Sequence, residues 1–280
     1  MATRGVIRHQ GRLMSYQDLG PVDAPVVLLI HGIMSDSTTW TRAAGLLADN
    51  GYRVLAPDLP GHGESDKVAD GYQLADFAAS LVTLLTELQA TEVTVVGHSF
   101  GGAVAMQLAY DHPELVRRLV LVSAGGLGRR VHPVLRAATL PGAHNLVRMV
   151  VNSRTAALYS RPRLHRSLRL SPDVVTTLSR AGRGLSSPDG RTAFFQTVRG
   201  VISPFGQRGS LLELDYVQLE LPTLIVWSER DPVLPVAHAY ETHAHLRNSS
   251  LEVFPGASHQ PHHHLARRFV QVLSNFIATT

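Results

Sequence analysis

The 280-residue sequence contains no cysteine. That absence excludes disulfides, thiolate metal sites and a cysteine nucleophile together. Lysine is nearly missing too, since Lys67 is the one lysine among 26 basic residues. Part of the arginine enrichment is therefore a coding bias, which explains the residue type but not its placement. No apolar stretch approaches the ~20 residues that a membrane span needs; Val26–Ile30 is among the longest. Residues 1–16 lack the apolar segment of a secretory signal, so a cytoplasmic location is the default expectation. There is no internal repeat, low-complexity block or recognised nucleic-acid motif. What remains is an ordinary globular composition, 44% hydrophobic and 17% charged. At a soft prior of about 150 residues per domain, the chain suits one large domain or a core with an insertion.

Charge divides the chain into three. Residues 1–125 sum to −5, residues 126–210 to +12 and residues 211–280 to −3. The middle block holds 14 arginines against only Asp173 and Asp189. A block this basic between acidic flanks reads as a separate unit. Its arginines either lie solvated on outer helix faces or favour substrates bearing a carboxylate or phosphate, or an anionic lipid surface.

The flanks carry an α/β rhythm. Gly5–Leu19, broken at Gly11, suggests an edge hairpin, and Pro25–Ile30 is a continuous apolar run suited to a strand buried on both faces. A helix capped by Ser37 or Thr38 runs to about Asn50, and a strand follows over Arg53–Ala56. Tyr72–Gln89 repeats leucine and phenylalanine at helical spacing. Further strands are expected at Val93–Gly97, Arg118–Ser123, Pro222–Trp227 and Leu251–Phe254, with helices at Pro235–Leu246 and Leu265–Ile277. This alternation predicts an α/β fold with a mostly parallel central sheet and helices on both faces. The rhythm stops at Gly125–Gly128 and is replaced by arginine-studded helical segments at Pro133–Ala138, His144–Leu158, Ser171–Arg180 and Thr192–Val201. The expected organisation is a core of 1–125 and 219–280 with an inserted helical unit over 126–218.

One turn in the core carries chemistry. Gly97-His98-Ser99-Phe100-Gly101 follows a buried strand and opens a helix, the context that gives meaning to Gly-x-Ser-x-Gly. A serine on so sharp a turn has a strained backbone, and the residues two before and two after it nearly collide, so both are glycine. Such a serine needs a base, and the base needs an orienting group. In parallel sheets reacting groups gather beyond the strands' carboxyl ends. Asp231 stands there after one later strand and His259 after the next, giving the known order Ser, Asp, His. Asp231 also suits a plain turn before Pro232, with Glu229 and Asp215 as alternative acids. His259 with His262, His263 and His264 forms a run suggestive of a metal site, but no carboxylate lies at ligand spacing. No metal and no cofactor is expected, and His262–His264 are expected to be exposed at the start of the last helix. The backbone amides of Phe100 and Ile33 are the candidate oxyanion donors. His31, Gly32, Met34, Trp40 and His98 are the candidate pocket residues; Trp40 serves equally well as core.

These motifs resemble the capped α/β-hydrolase-fold proteins, a group that includes bacterial esterases, haloperoxidase-like hydrolases, epoxide hydrolases, haloalkane dehalogenases and carbon–carbon bond hydrolases. The resemblance rests on His31-Gly32, Asp58-Leu59-Pro60-Gly61-His62-Gly63-Glu64-Ser65, the Gly97–Gly102 turn, Asp231-Pro232-Val233-Leu234-Pro235 and Gly256-Ala257-Ser258-His259. It implies an α/β-hydrolase fold whose middle block is a helical cap. Ser99 departs from the aspartate nucleophile of dehalogenases and epoxide hydrolases. His98 and Gln260 depart from the Asn before the serine and the Trp after the histidine that carbon–carbon hydrolases often carry. The expectation is a serine hydrolase of a small carboxylic ester, neutral or anionic, with ring-cleavage diketone hydrolysis or a non-catalytic binding role as alternatives. A monomer or homodimer is expected, with no nucleic-acid partner and no transmembrane segment.

Overall fold

In the computed structural model, residues 3–68, 70–151, 182, 184–208 and 220–280 are described. The chain opens with a hairpin, β1 (Thr3–His9) against β2 (Arg12–Leu19), paired antiparallel from Thr3↔Asp18 to His9↔Arg12. Its two-residue turn, Gln10-Gly11, has φ of 49° and 79°, the left-handed pair that matches strand twist. Next come β3 (Val26–Ile30), α1 (Thr41–Asp49), β4 (Arg53–Pro57) and α2 (Leu74–Glu87). They lead to β5 (Val93–His98), α3 (Phe100–Asp111) and β6 (Val116–Val122). After the middle block, β9 (Thr223–Ser228), α7 (Ala237–His245), β10 (Ser249–Phe254), α8 (Pro261–His264) and α9 (Ala266–Thr279) complete the core.

The eight core strands form one sheet in the order β1-β2-β4-β3-β5-β6-β9-β10, antiparallel only at the first two pairings. From β4 to β10 every pairing is parallel. The alternation of side chains along each strand splits the core in two. Leu28, Ile30, Leu55, Val95, Leu121 and Trp227 face one layer with α2, α3 and α7. Val27, Leu29, Val54, Val96, Val122 and Val226 face the other with α1 and α9. Because both faces are covered, the central strands read as unbroken apolar runs.

Two local expectations shift. The first capped element is a 3₁₀ turn over Ser37–Trp40, and its cap is Asp36, whose carboxylate accepts from the Thr38 amide. The last helix is broken into α8 and α9 at Leu265, which has φ −116°.

Between β6 and β9 the described residues form α4 (Pro133–Ala137), α5 (Ala143–Val150), α6 (Pro188–Val201) and a small hairpin of β7 (Ile202–Ser203) with β8 (Gly206–Gln207). They bury a cluster of their own, Phe194, Phe195, Val198 and Ile202, against Leu135, Ala138, Ala143 and Val147. The expected helix over Ser171–Arg180 and the end of the one over His144–Leu158 lie outside the described residues. Arg129, Arg130, Arg136, Arg148, Arg199 and Arg208 are exposed, whereas Arg191 is buried and donates to the Leu185 and Ser186 carbonyls. Among the described residues, no helix is long and apolar enough to cross a membrane.

Candidate active site

Ser99 occupies the junction of β5 and α3 with φ 54° and ψ −121°, a left-handed conformation that L-residues rarely hold. The glycines around it are steric requirements. A Cβ on Gly101 would lie 2.5 Å from the Ile30 and His31 carbonyl oxygens. One on Gly97 would collide with the Gly101 carbonyl, and one on Gly102 with Ala124 Cβ just beyond β6. The elbow is pinned by backbone bonds, with the Ser99 amide donating to the Val122 carbonyl at 3.0 Å and its carbonyl accepting from Gly125 at 2.8 Å.

His259 arrives from the edge of the sheet. Its loop leaves β10 and reaches back over β9 and β6, roughly 14 Å at about 4.8 Å per strand. Its Nε2 then lies 3.0 Å from Ser99 Oγ, and its Nδ1 lies 2.8 Å from Asp231 Oδ2. The Asp231 side chain is fully buried, and its Oδ1 accepts from the Val233 and Leu234 amides at 2.8 and 3.0 Å. Burial pushes its pKa upward, but the hydrogen bonds from His259, Leu234 and Val233 outweigh that and hold it below the ordinary value. Asp231 is thus an ionised acceptor and more than a turn former. Glu229, the alternative acid, is exposed and accepts from the Gly256 amide; Asp215 lies outside the described residues.

A cavity of about 80 Å³ opens beside Ser99, with Ile33 and Phe100 both in its wall. Phe100 is the first residue of α3, where a backbone N–H has no acceptor within the helix. The wall is mostly apolar, including Leu74, Val131, Val201 and Val233, with Gln207 and Arg208 as its polar members. Gln207 has no sequence pattern that would single it out. Its side chain accepts from the Gly126 amide at 2.8 Å and donates to the Gly128 carbonyl, tying β8 to the loop after β6. A larger cleft of about 450 Å³ lies nearby, lined by Arg4, Met34, Asp58, His62, Glu64 and Phe194, but it contains none of Ser99, Asp231 and His259. Ser99 lines the smaller cavity, as do Val233 and Leu234, whose amides donate to Asp231.

None of the five expected pocket residues lines this cavity, although Gly32 packs beside Ser99. Met34 lines the larger cleft, and Gly32 packs so closely that an added Cβ would sit 3.1 Å from Ser99 Cβ. His31 is fully buried; its Nδ1 donates to the Gly32 carbonyl at 2.8 Å and its Nε2 accepts from the Leu59 amide at 2.9 Å. It therefore fixes the Gly32–Ile33 loop without lining the pocket. Trp40 is also fully buried, its ring 4.0 Å from that of His262. His98 lies behind the site, 4.4 Å from the His262 ring and 4.9 Å from that of His259. The expectation of exposed His262–His264 fails as well: His262 is fully buried and the other two are half-buried, because α8 tucks under the His259 loop against Trp40. Burial, with His259 next, pushes the His98 pKa down to about 3. Burial likewise carries His62 down to about 3 and His262 well below its ordinary value. Among the described residues, no group of three or more histidines and carboxylates could hold a metal ion.

Comparison with known proteins agrees with this architecture. The sequence model of the alpha/beta hydrolase fold matches residues 25–263. An uncharacterized protein of Mycobacterium tuberculosis is 39% identical over 269 residues, 91% of this chain and 76% of that protein. A 2-hydroxymuconate semialdehyde hydrolase of Pseudomonas putida is 28% identical over 262 residues, 90% of this chain and 86% of that enzyme. An esterase from Exiguobacterium antarcticum superposes with a TM-score of 0.73 at 21% identity, over 99% of this chain and 100% of that one, a likeness of fold. The chain belongs to the alpha/beta hydrolase fold family.

Proposed function

We propose that this protein is a serine hydrolase acting on small carboxylic esters through an acyl-enzyme. The observation that carries the reading is the relay Ser99 Oγ–His259 Nε2–His259 Nδ1–Asp231 Oδ2, with spacings of 3.0 and 2.8 Å. Ser99 attacks the ester carbonyl carbon while His259 Nε2 takes its proton; Asp231 holds the Nδ1–H tautomer and stabilises the imidazolium. The tetrahedral oxyanion accepts from the Ile33 and Phe100 amides, the second strengthened by the positive end of α3. His259 then protonates the leaving alcohol. Water, deprotonated by the same imidazole, attacks the acyl-enzyme and releases the acid.

The small apolar cavity favours a short acyl group, with Arg208 placed to meet a carboxylate carried by the substrate. In this reading the described residues 126–151 and 184–208 belong to a cap, which Val131, Leu135, Val201 and Gln207 bring to the pocket wall. The relative named 2-hydroxymuconate semialdehyde hydrolase keeps a second reading open, hydrolysis of a carbon–carbon bond by the same three residues.

A fluorophosphonate probe is expected to label the wild type and not Ser99→Ala. Absence of labelling in the folded wild type would falsify the serine-nucleophile reading. Release of p-nitrophenol from short acyl esters, set against decay of a coloured dienoate, separates ester from carbon–carbon hydrolysis.

A further inference from the structure

His98 points away from the substrate cavity, yet it immediately precedes Ser99 in the chain. Its Nε2 lies 2.8 Å from the backbone carbonyl oxygen of His259. A carbonyl only accepts, so Nε2 carries the proton and Nδ1 is bare. That assignment suits Nδ1, which is buried with no hydrogen-bond partner; a bare ring nitrogen there leaves no donor orphaned. The ring cannot swing away. The His262 ring packs 4.4 Å from it, and the Trp40 ring meets it edge-on at 6.4 Å. The preceding carbonyl of the same loop, Ser258, is gripped as well, by the hydroxyl of Ser228 at the end of β9. Consecutive carbonyls of the His259 loop are thus held from two strands, β9 and β5.

We infer that His98 is a positioning residue, a neutral tether that fixes the backbone of His259 to the strand end that carries Ser99. The inference rests on the serine-hydrolase reading above. The loop crosses two strands to reach Ser99, and its ring-to-serine distance must be kept within a fraction of an ångström for proton transfer. Anchoring nucleophile and base to adjacent residues, 98 and 99, makes that distance insensitive to movement of the loop's far end. Burial keeps the ring uncharged, so it neither competes with His259 as a base nor repels the imidazolium that forms there.

The test compares His98→Gln with His98→Met. Glutamine places an N–H at nearly the reach of imidazole Nε2, whereas methionine has similar length and bulk but no donor. Fluorophosphonate labelling rates, kcat and KM on p-nitrophenyl acetate, and melting temperature are measured for each. The tether predicts that His98→Gln stays within about fivefold of wild-type kcat, while His98→Met loses about 10- to 100-fold with KM within about twofold. Equal kcat for the two variants overturns the tether, and so does a loss confined to KM. If both variants unfold, His98 is a requirement of the fold and the positioning role is overturned too. Wild type is labelled first: failure there refutes the serine nucleophile, whereas equal labelling of wild type and His98→Met refutes the tether alone.

Discussion

Three of the buried histidines, His62, His98 and His262, make acid stability a sharp test of this interior. Each is held neutral chiefly by burial, His62 and His98 at about 3 and His262 well below 6.5. In the unfolded chain each binds a proton near pH 6.5. A depressed folded-state value means that the folded protein binds fewer protons. Stability is therefore fully present above about pH 6.5 and is lost as pH falls toward the folded values. Between pH 7 and pH 5 His62 and His98 each remove about 2 kcal/mol, about 4 kcal/mol together, and His262 acts in the same direction. A domain has only about 5–15 kcal/mol in all. His238, lowered in the same direction by burial, adds to the loss. Asp231 does not compete in this window, because its lowered value releases stability only below about pH 4. Melting temperatures at pH 7, 6 and 5 should fall by at least roughly 8–16 °C in total, at about 2–4 °C per kcal/mol. His62→Gln should shallow that slope by removing about 2 kcal/mol of the loss. A melting temperature that moves by less than about 4 °C between pH 7 and 5 would refute the reasoning.

Two further outcomes follow from the site itself. Asp231→Asn leaves Oδ1 to accept from Val233 and Leu234 but turns an N–H toward His259 Nδ1, forcing the tautomer that cannot accept the Ser99 proton. We expect kcat to fall about 10³- to 10⁴-fold while stability drops by only about 1–2 kcal/mol. Retained activity in steady-state ester assays would count against the relay. Gly101→Ala drives a Cβ to 2.5 Å from two main-chain oxygens that cannot rotate aside. It should cost at least about 3 kcal/mol, and a melting temperature within about 2 °C of wild type would show that the elbow is looser than drawn.

The sheet and the meeting of Ser99, His259 and Asp231 were legible in the sequence because each leaves a local mark. Buried parallel strands are apolar runs, and a strained serine turn demands glycines at fixed offsets. Asp231 and His259 stand just after strands, so their meeting follows from topology once the strands are found. The pocket was not legible for the same reason in reverse. Whether His98 lines a cavity or grips a carbonyl depends on a loop 161 residues away. Trp40 and His262 owe their burial to each other, and neither has a neighbour in sequence that announces it. Gln207 serves through three backbone contacts whose partners lie 77–81 residues distant, and no periodicity marks such a residue.

The separation of 160 positions from Ser99 to His259 also sets a timetable for the nascent chain. At about 5–20 residues per second, the ribosome emits His259 roughly 10–30 s after Ser99. During that interval the elbow can form on β5 and its neighbours, yet the serine has no partner to take its proton. In the proposed mechanism an emerging chain therefore carries an unarmed hydroxyl until the whole sheet has been made, and reactivity arises only with the loop that follows the last strand.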